Sequence, residues 1–193
     1  TIQDFIEAVE DTIYTLGTYD ITTIRASVGH RMVCKLLNEH SDVVVLFSGE
    51  TADEMGGYLY FGKAPTSQHF QDECKRLLDD IHFFDGLRSD RSISQWGLES
   101  RIPFSDREFM RYYMSIDPKL RQFGSGHPKE RIEKYILRKA FEGYLPPQVL
   151  WRRKNGFSDS VSSKEKSWHS IVREYIDTII TDEQFETDRM TYT

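Results

Sequence analysis

The run "VVVLF", Val43 to Phe47, is the feature that most constrains this chain. It is short, β-branched and apolar on consecutive positions between the polar stretches "NEHSD" and "SGE", which is how a strand buried on both faces of a parallel sheet reads. A parallel strand needs neighbours, and one strand cannot make a doubly wound sheet. The expectation is therefore an α/β fold, helix-rich in this chain, whose further strands lie upstream. The first residue is not Met, and the sequence enters helical periodicity at once, so a piece of something longer is expected.

Around the strand the apolar spacing is helical. Ile2, Phe5, Ile6, Val9 and Ile13 recur at three and four, and Ile24, Val28, Met32 and Leu36 do so after "GTYD". Helices are predicted over roughly 66–79, 81–97, 106–115, 129–143 and 164–180. The stretch 122–130 reads as loop, and the tail "TDEQFETDRMTYT" is polar enough to fray. With 193 residues, one compact unit is expected.

Composition excludes some functions. Twenty-five basic against 31 acidic residues give a net charge of -6, mixed along the chain, so no basic face for nucleic acid is expected. No stretch approaches the ~20 apolar residues of a membrane span. Cys34 and Cys74 lack metal or redox spacing and read as buried, inert thiols, which fits a reducing, cytoplasmic setting.

Ligands of open α/β sheets sit beyond the carboxyl ends of the strands, which puts Ser48, Gly49 and Glu50 where a site is expected. A glycine lets backbone N–H groups approach an anion, and the neighbouring hydroxyl and carboxylate can position a phosphate or take a proton. Asp53 and Glu54 follow, and a carboxylate there suits Mg²⁺; a capped helix start is the plainer rival. Asp85 and Arg88 share a helix face able to hold an amino-acid zwitterion, or form a surface ion pair worth under about 1 kcal/mol. "WRRKNGF" (151–157) can neutralise a polyphosphate or be a solvated basic turn, and "TTIRAS" can bind an anion through Thr22 and Arg25 or cap a helix. Together these describe two anion places, a metal carboxylate and an amino-acid clamp, as activation of a carboxylate by ATP requires.

The ordered set "YDITTIRAS", "VVLFSGETADEMGGYLYFGKAP", "FFDGLRSDRSISQWGLESRIPFSD", "ERIEKYILRKAFEGYLP" and "LWRRKNGFSD" resembles the synthetase domain of glutamine-dependent asparagine synthetases of the B type. The resemblance implies part of an ATP pyrophosphatase (adenine nucleotide alpha hydrolase-like) parallel sheet followed by a mainly helical region, with residues 1–193 as a partial domain. It also implies ATP and Mg²⁺ as cofactors, and aspartate activated to β-aspartyl-AMP and amidated by ammonia from glutamine. Ser48 and Gly49 match nucleotide-contacting positions, Glu50 a base, Asp53 a magnesium-side carboxylate and Lys154 a pyrophosphate-binding lysine. Asp85 and Arg88 match positions near aspartate, and Thr22 and Arg25 positions near the reacting phosphate.

The family's SGGxDS phosphate loop and N-terminal glutaminase are expected upstream, so the 193 residues alone are expected to be inactive or nearly so. The assembly is left open, a homodimer included. Alternatives are a same-fold ligase for another carboxylate and a non-catalytic interaction module. Thr51 stands where the family usually has glycine and Ser105 where leucine is usual, and a loop one residue shorter displaces Gly56, Gly57 and Tyr58.

Overall fold

Thr1 starts the first helix, α1 (Ile2–Leu16), with a capping box: its hydroxyl accepts from the Asp4 N–H while the Asp4 carboxylate reaches back. Gly17, at φ 60, ends α1 in the left-handed conformation that glycine adopts without steric cost. The Asp20 carboxylate then accepts from the Thr23 N–H at 2.7 Å at the start of α2 (Ile21–His40). The computed structural model describes residues 1–124, 132–156 and 166–192.

The chain divides into two compact units, Thr1–Val33 with Asn155–Thr193, and Cys34–Lys154. This differs from the single unit expected from length, because length counts residues and not which of them share a core. In the first unit Leu16, Val28 and Trp168 are buried, and Phe5 meets Trp168 edge-on at 5.5 Å between centroids. Trp168 opens α10 (Trp168–Ile179), capped by Ser167, and α11 (Asp182–Tyr192) follows where fraying was expected.

The second unit holds the sheet: β1 (Val45–Phe47) pairs in parallel with β2 (Glu99–Arg101), with Leu46 opposite Ser100. Between them come α3 (Ala52–Gly56), a 3₁₀ turn over Leu59–Lys63, α4 (Ser67–Asp80) and α5 (Asp85–Ser94). After β2 come α6 (Arg107–Ser115), α7 (Pro118–Arg121), α8 (Tyr135–Ala140) and α9 (Pro147–Leu150). Cys34, Ile93 and Leu98 form one core cluster, joined by Leu46; Phe61, Phe70, Cys74 and Phe123 form another. Burying a side chain the size of Phe70 stabilises by roughly 2–3 kcal/mol.

Three expectations are corrected. β1 is not covered on both faces: Leu46 faces the core, whereas Val45 is exposed and Phe47 is 80% exposed, since no described element packs over that side. The helix predicted over 81–97 breaks at Phe84 (φ -124, ψ -102), and a Cβ on Gly86 would lie 2.8 Å from the Ile81 carbonyl oxygen. The helix over 129–143 cannot run through Lys134, which adopts φ 58, so α8 starts at Tyr135. Residues 129–131 and 164–165 of the predicted helices, and Phe157 of the basic loop, lie outside the described residues.

Candidate active site

β1 delivers the chain to the site, and the Ser48 N–H extends the ladder by donating to the Arg101 carbonyl at 2.8 Å. The turn then bends on the Ser48 hydroxyl, which accepts from the Glu50 N–H at 3.3 Å. A Cβ on Gly49 would meet nothing within 4 Å. No described neighbour demands a glycine here, and the space beside the bare backbone is open. Beside this turn, Phe47, Arg101, Pro103 and Asp106 line an open cleft of about 500 Å³.

Thr51 enters α3 at φ 74, a left-handed conformation costing a non-glycine residue roughly 1–2 kcal/mol. Its hydroxyl bonds the Ser105 hydroxyl, so the two departures from the family pattern meet in space. The short helix then presents Asp53 and Glu54. Gly57, at φ 90, turns the chain where a Cβ would stand 2.8 Å from Phe123 and 2.9 Å from Phe70, and this turn sends Tyr58 back over the site.

Arg88, 4% exposed, is the hub. Its Nη2 donates to both Glu50 oxygens at 2.8 Å and to Asp85 Oδ1 at 2.9 Å, with Nε adding 3.1 Å to the same oxygen. Asp85 and Arg88 do share a face, as expected, but they form a buried triad with Glu50 and not a surface pair. Burial works against the guanidinium's charge, and the two carboxylates outweigh it, raising its pKa. For Glu50 burial wins: lost solvation pushes its carboxyl up against the attraction of Arg88, which makes it a stronger base than an exposed glutamate. Asp85 is also buried, yet Arg88 and the hydrogen bonds it receives hold it below the usual carboxylate range.

The Tyr58 hydroxyl lies 2.7 Å from Glu54 Oε1 and 2.6 Å from Asp85 Oδ2. A hydroxyl has one proton to give, so one of these contacts needs a proton from an acid. Glu54, 3% exposed, supplies it: burial pushes its carboxyl up to about 7. Burial and the two flanking acids raise the Tyr58 phenol above its ordinary value, so it stays protonated.

Asp53 is held between two lysines. Lys134 Nζ sits 2.5 Å from Oδ1, and Lys154 Nζ pairs with Oδ2 while lying 5.2 Å from the centre of the Tyr58 ring. Each Asp53 oxygen thus faces an ammonium group where a divalent cation would have to sit. Among the described residues no group of three or more His, Cys, Asp or Glu is arranged to hold a metal ion. In this arrangement the side chains present do not make a Mg²⁺ site by themselves.

Glu50, Asp53, Asp85, Arg88 and Lys154 are therefore brought together, with Ser48 and Gly49 on the adjoining turn. Thr22, exposed, and Arg25, half-buried, lie on α2 in the first unit, where Asp20 and not Thr22 provides the cap. Sequence reasoning did not single out Lys134, offered Glu54 only beside Asp53 as a candidate metal carboxylate, and read Tyr58 as displaced by the shorter loop. The "DE" pair pointed to Glu54, but nothing in the sequence marks a left-handed lysine.

The chain is of the α/β class, and its acids and cations gather beyond the carboxyl end of a parallel strand pair, where ligands of open α/β sheets sit. The family model described as asparagine synthase matches residues 1–75 and 62–193. Similar proteins include the asparagine synthetase (glutamine-hydrolyzing) of Gallus gallus, 47% identical over 183 residues, and those of Cricetulus griseus and Homo sapiens, each 43% identical over 188 and 183 residues. These alignments cover 93%, 96% and 93% of this chain and 32%, 33% and 32% of the relatives. The chain belongs to the asparagine synthase family and spans about a third of the length of the curated relatives it matches. No described helix is long and apolar enough to cross a membrane.

Proposed function

We propose that the protein converts aspartate to asparagine by ATP-dependent amidation, on a sheet of the ATP pyrophosphatase type to which β1 and β2 contribute. The side-chain carboxylate of aspartate attacks the α-phosphorus of ATP, the bond to pyrophosphate breaks, and β-aspartyl-AMP forms. Ammonia released from glutamine in a separate glutaminase region adds to the acyl carbon, AMP leaves with the bonding pair, and the proton lost by nitrogen passes to Glu50. Lys154 neutralises the departing pyrophosphate, Ser48 and Gly49 approach the nucleotide, and Thr22 and Arg25 serve the reacting phosphate. Asp85 is assigned to the aspartate side of the site, and Arg88 orients both Glu50 and Asp85. Mg²⁺ is included only as the counter-ion that accompanies the nucleotide's phosphates.

The observation that carries this reading is the Glu50–Arg88–Asp85 triad beside the Asp53–Lys154 pair at the end of β1. A buried glutamate held in place by a guanidinium is a positioned base, and positioning plus neutralised charge meets most of the barrier of an adenylation. Two assays on the same preparation of a full-length parent, this chain joined to its upstream region, test it: pyrophosphate release from ATP with aspartate, and asparagine formation with ammonia. Lys154→Ala is expected to abolish both. Glu50→Gln is expected to depress asparagine formation more than pyrophosphate release. Equal rates for parent and both variants would remove these assignments.

A further inference from the structure

Thr51 joins Glu50 to α3 in a conformation that costs energy. It adopts φ 74 and ψ -22, a left-handed region that β-branched residues avoid above all. Its carbonyl accepts from the Met55 N–H at 3.1 Å and so opens α3, but its hydroxyl does not cap the helix. With Thr51 2% exposed, that hydroxyl is a buried group, and it is answered by the hydroxyl of Ser105. Ser105 ends the turn Pro103–Ser105 that leaves β2, and its own N–H donates to the Ile102 carbonyl at 2.9 Å. The next residue, Asp106, caps α6 by accepting from the Phe109 N–H at 2.9 Å. Ser105 is thus a fixed post, and Thr51 is tied to it across 54 residues of chain.

The segment Ser48–Thr51 is therefore pinned to the exit of β2 at both ends, at Ser48 by the backbone bond to Arg101 at 2.8 Å and at Thr51 by the hydroxyl pair. Glu50 lies between the two pins with its carboxylate on Arg88. Neither Thr51 nor Ser105 is the residue usual for the family at its position, so the second pin belongs to this chain. A left-handed threonine persists only where its surroundings hold it, and such strain gathers where a neighbouring group must be aimed. We infer that the Thr51–Ser105 pair is a latch that fixes the backbone of Glu50, and that Thr51 is a positioning residue for this base. The inference deepens the amidation reading and rests on it for the role of Glu50. Arg88 sets the direction of the carboxylate, and the latch sets the place from which it reaches. Without the hydroxyl pair Thr51 can relax toward ordinary φ, which swings the preceding peptide, and Glu50 with it, against α3. A misplacement of about 1 Å can cost a catalytic group roughly a hundredfold in rate.

Two measurements test this. The first is a double-mutant cycle on the full chain, reading the urea unfolding equilibrium constant of Thr51→Val, Ser105→Ala and the double variant. Each single change should raise that constant about fivefold, and the double variant should match the worse single one within about twofold, where independent sites would multiply to about twenty-fivefold. The second uses the full-length parent and measures asparagine formed per pyrophosphate released, the remainder being adenylate lost to water. Thr51→Val and Ser105→Ala should each lower that ratio about threefold or more, with pyrophosphate release within about twofold of the parent, and Thr51→Ser should keep the parent ratio. A pair that served stability alone would leave the ratio untouched. Multiplying effects in the cycle, or an unchanged ratio in both folded single variants, would overturn the inference. Glu50→Gln in the same assay separates the two failures. A ratio that falls with Glu50→Gln but not with the latch variants sinks the inference alone, whereas a ratio indifferent to Glu50→Gln removes the base from the proposed function and the inference with it.

Discussion

Replacing Arg88 by Met should cost about 4 kcal/mol at about pH 8 and roughly half of that at about pH 5. The magnitude follows from the geometry. Arg88 is 4% exposed and answers two carboxylates through four contacts of 2.8–3.1 Å. Removing one partner of a buried pair costs about 3–5 kcal/mol. The stranded Glu50 and Asp85 side chains keep 17% and 30% of their exposure, which keeps the loss of the second pair well below that of a full one. The sign with pH follows from what each carboxylate becomes. With Arg88 present Asp85 titrates below its ordinary value, so its contribution is in place above the unfolded pKa and lost as pH falls. Without Arg88 burial dominates both acids and their folded pKa values rise. Groups raised in this way stabilise fully below the unfolded pKa and lose that contribution as pH climbs through the folded one. The variant should therefore recover in acid. Urea unfolding of parent and Arg88→Met at the two pH values measures this, and Arg88→Met with Glu50→Gln and Asp85→Asn should regain part of the loss. A penalty under about 1 kcal/mol, or one equal at both pH values, would refute the buried-triad reasoning.

Glu54→Gln should flatten the pH dependence of stability: the carboxyl is raised to about 7, so its contribution is full below the unfolded value of 4.5 and fades as pH rises through about 7. Urea midpoints of parent and variant that run parallel over that interval would contradict a proton on Glu54. Gly57→Ala combines φ 90 with a Cβ within 2.9 Å of two aromatic rings, and should cost over about 2 kcal/mol by thermal unfolding. Both cysteines should resist a thiol reagent until the chain unfolds, because burial raises the Cys34 thiol and pushes Cys74 up to about 12. Lys154→Ala should change stability by no more than about 1 kcal/mol, since Asp53 keeps Lys134 and only a ring contact is lost besides, while abolishing adenylation.

The parts of the site legible in the sequence are those that local rules govern. An apolar run ending in Ser-Gly-Glu marks a strand and its carboxyl-end turn, and a three-residue spacing puts Asp85 and Arg88 on one face of α5. The rest depends on contacts between distant segments. β2 reads Glu-Ser-Arg, with no apolar alternation to announce it, and exists because β1 supplies its ladder. Lys134 sits within an unbroken helical pattern and leaves it where its N–H meets the Gly56 carbonyl and Arg138 holds the carbonyl of the preceding Glu133. Tyr58 looked displaced by a shortened loop, yet the turn at Gly57 returns its hydroxyl to Glu54 and Asp85. Thr51 looked out of place for a glycine position, and its hydroxyl has a partner in Ser105.

Each cation at the centre of this site is paired with one of its own carboxylates: Arg88 with Glu50 and Asp85, Lys134 and Lys154 with Asp53. An anion that reaches any of these cations therefore meets an acid already there. The exchange differs between the two halves. Arg88 is buried and serves two acids at once, so displacing either leaves an uncompensated charge in a poorly solvated place, and that half stays assembled as a positioning device. Asp53 keeps 27% of its side chain exposed and shares two cations, so water and the second lysine cushion its release. The same electrostatics thus make the Arg88 half the more rigid and the Asp53 half the more exchangeable. The amidation proposed above would use this division, with Glu50 held fixed as its base while pyrophosphate leaves past Lys154.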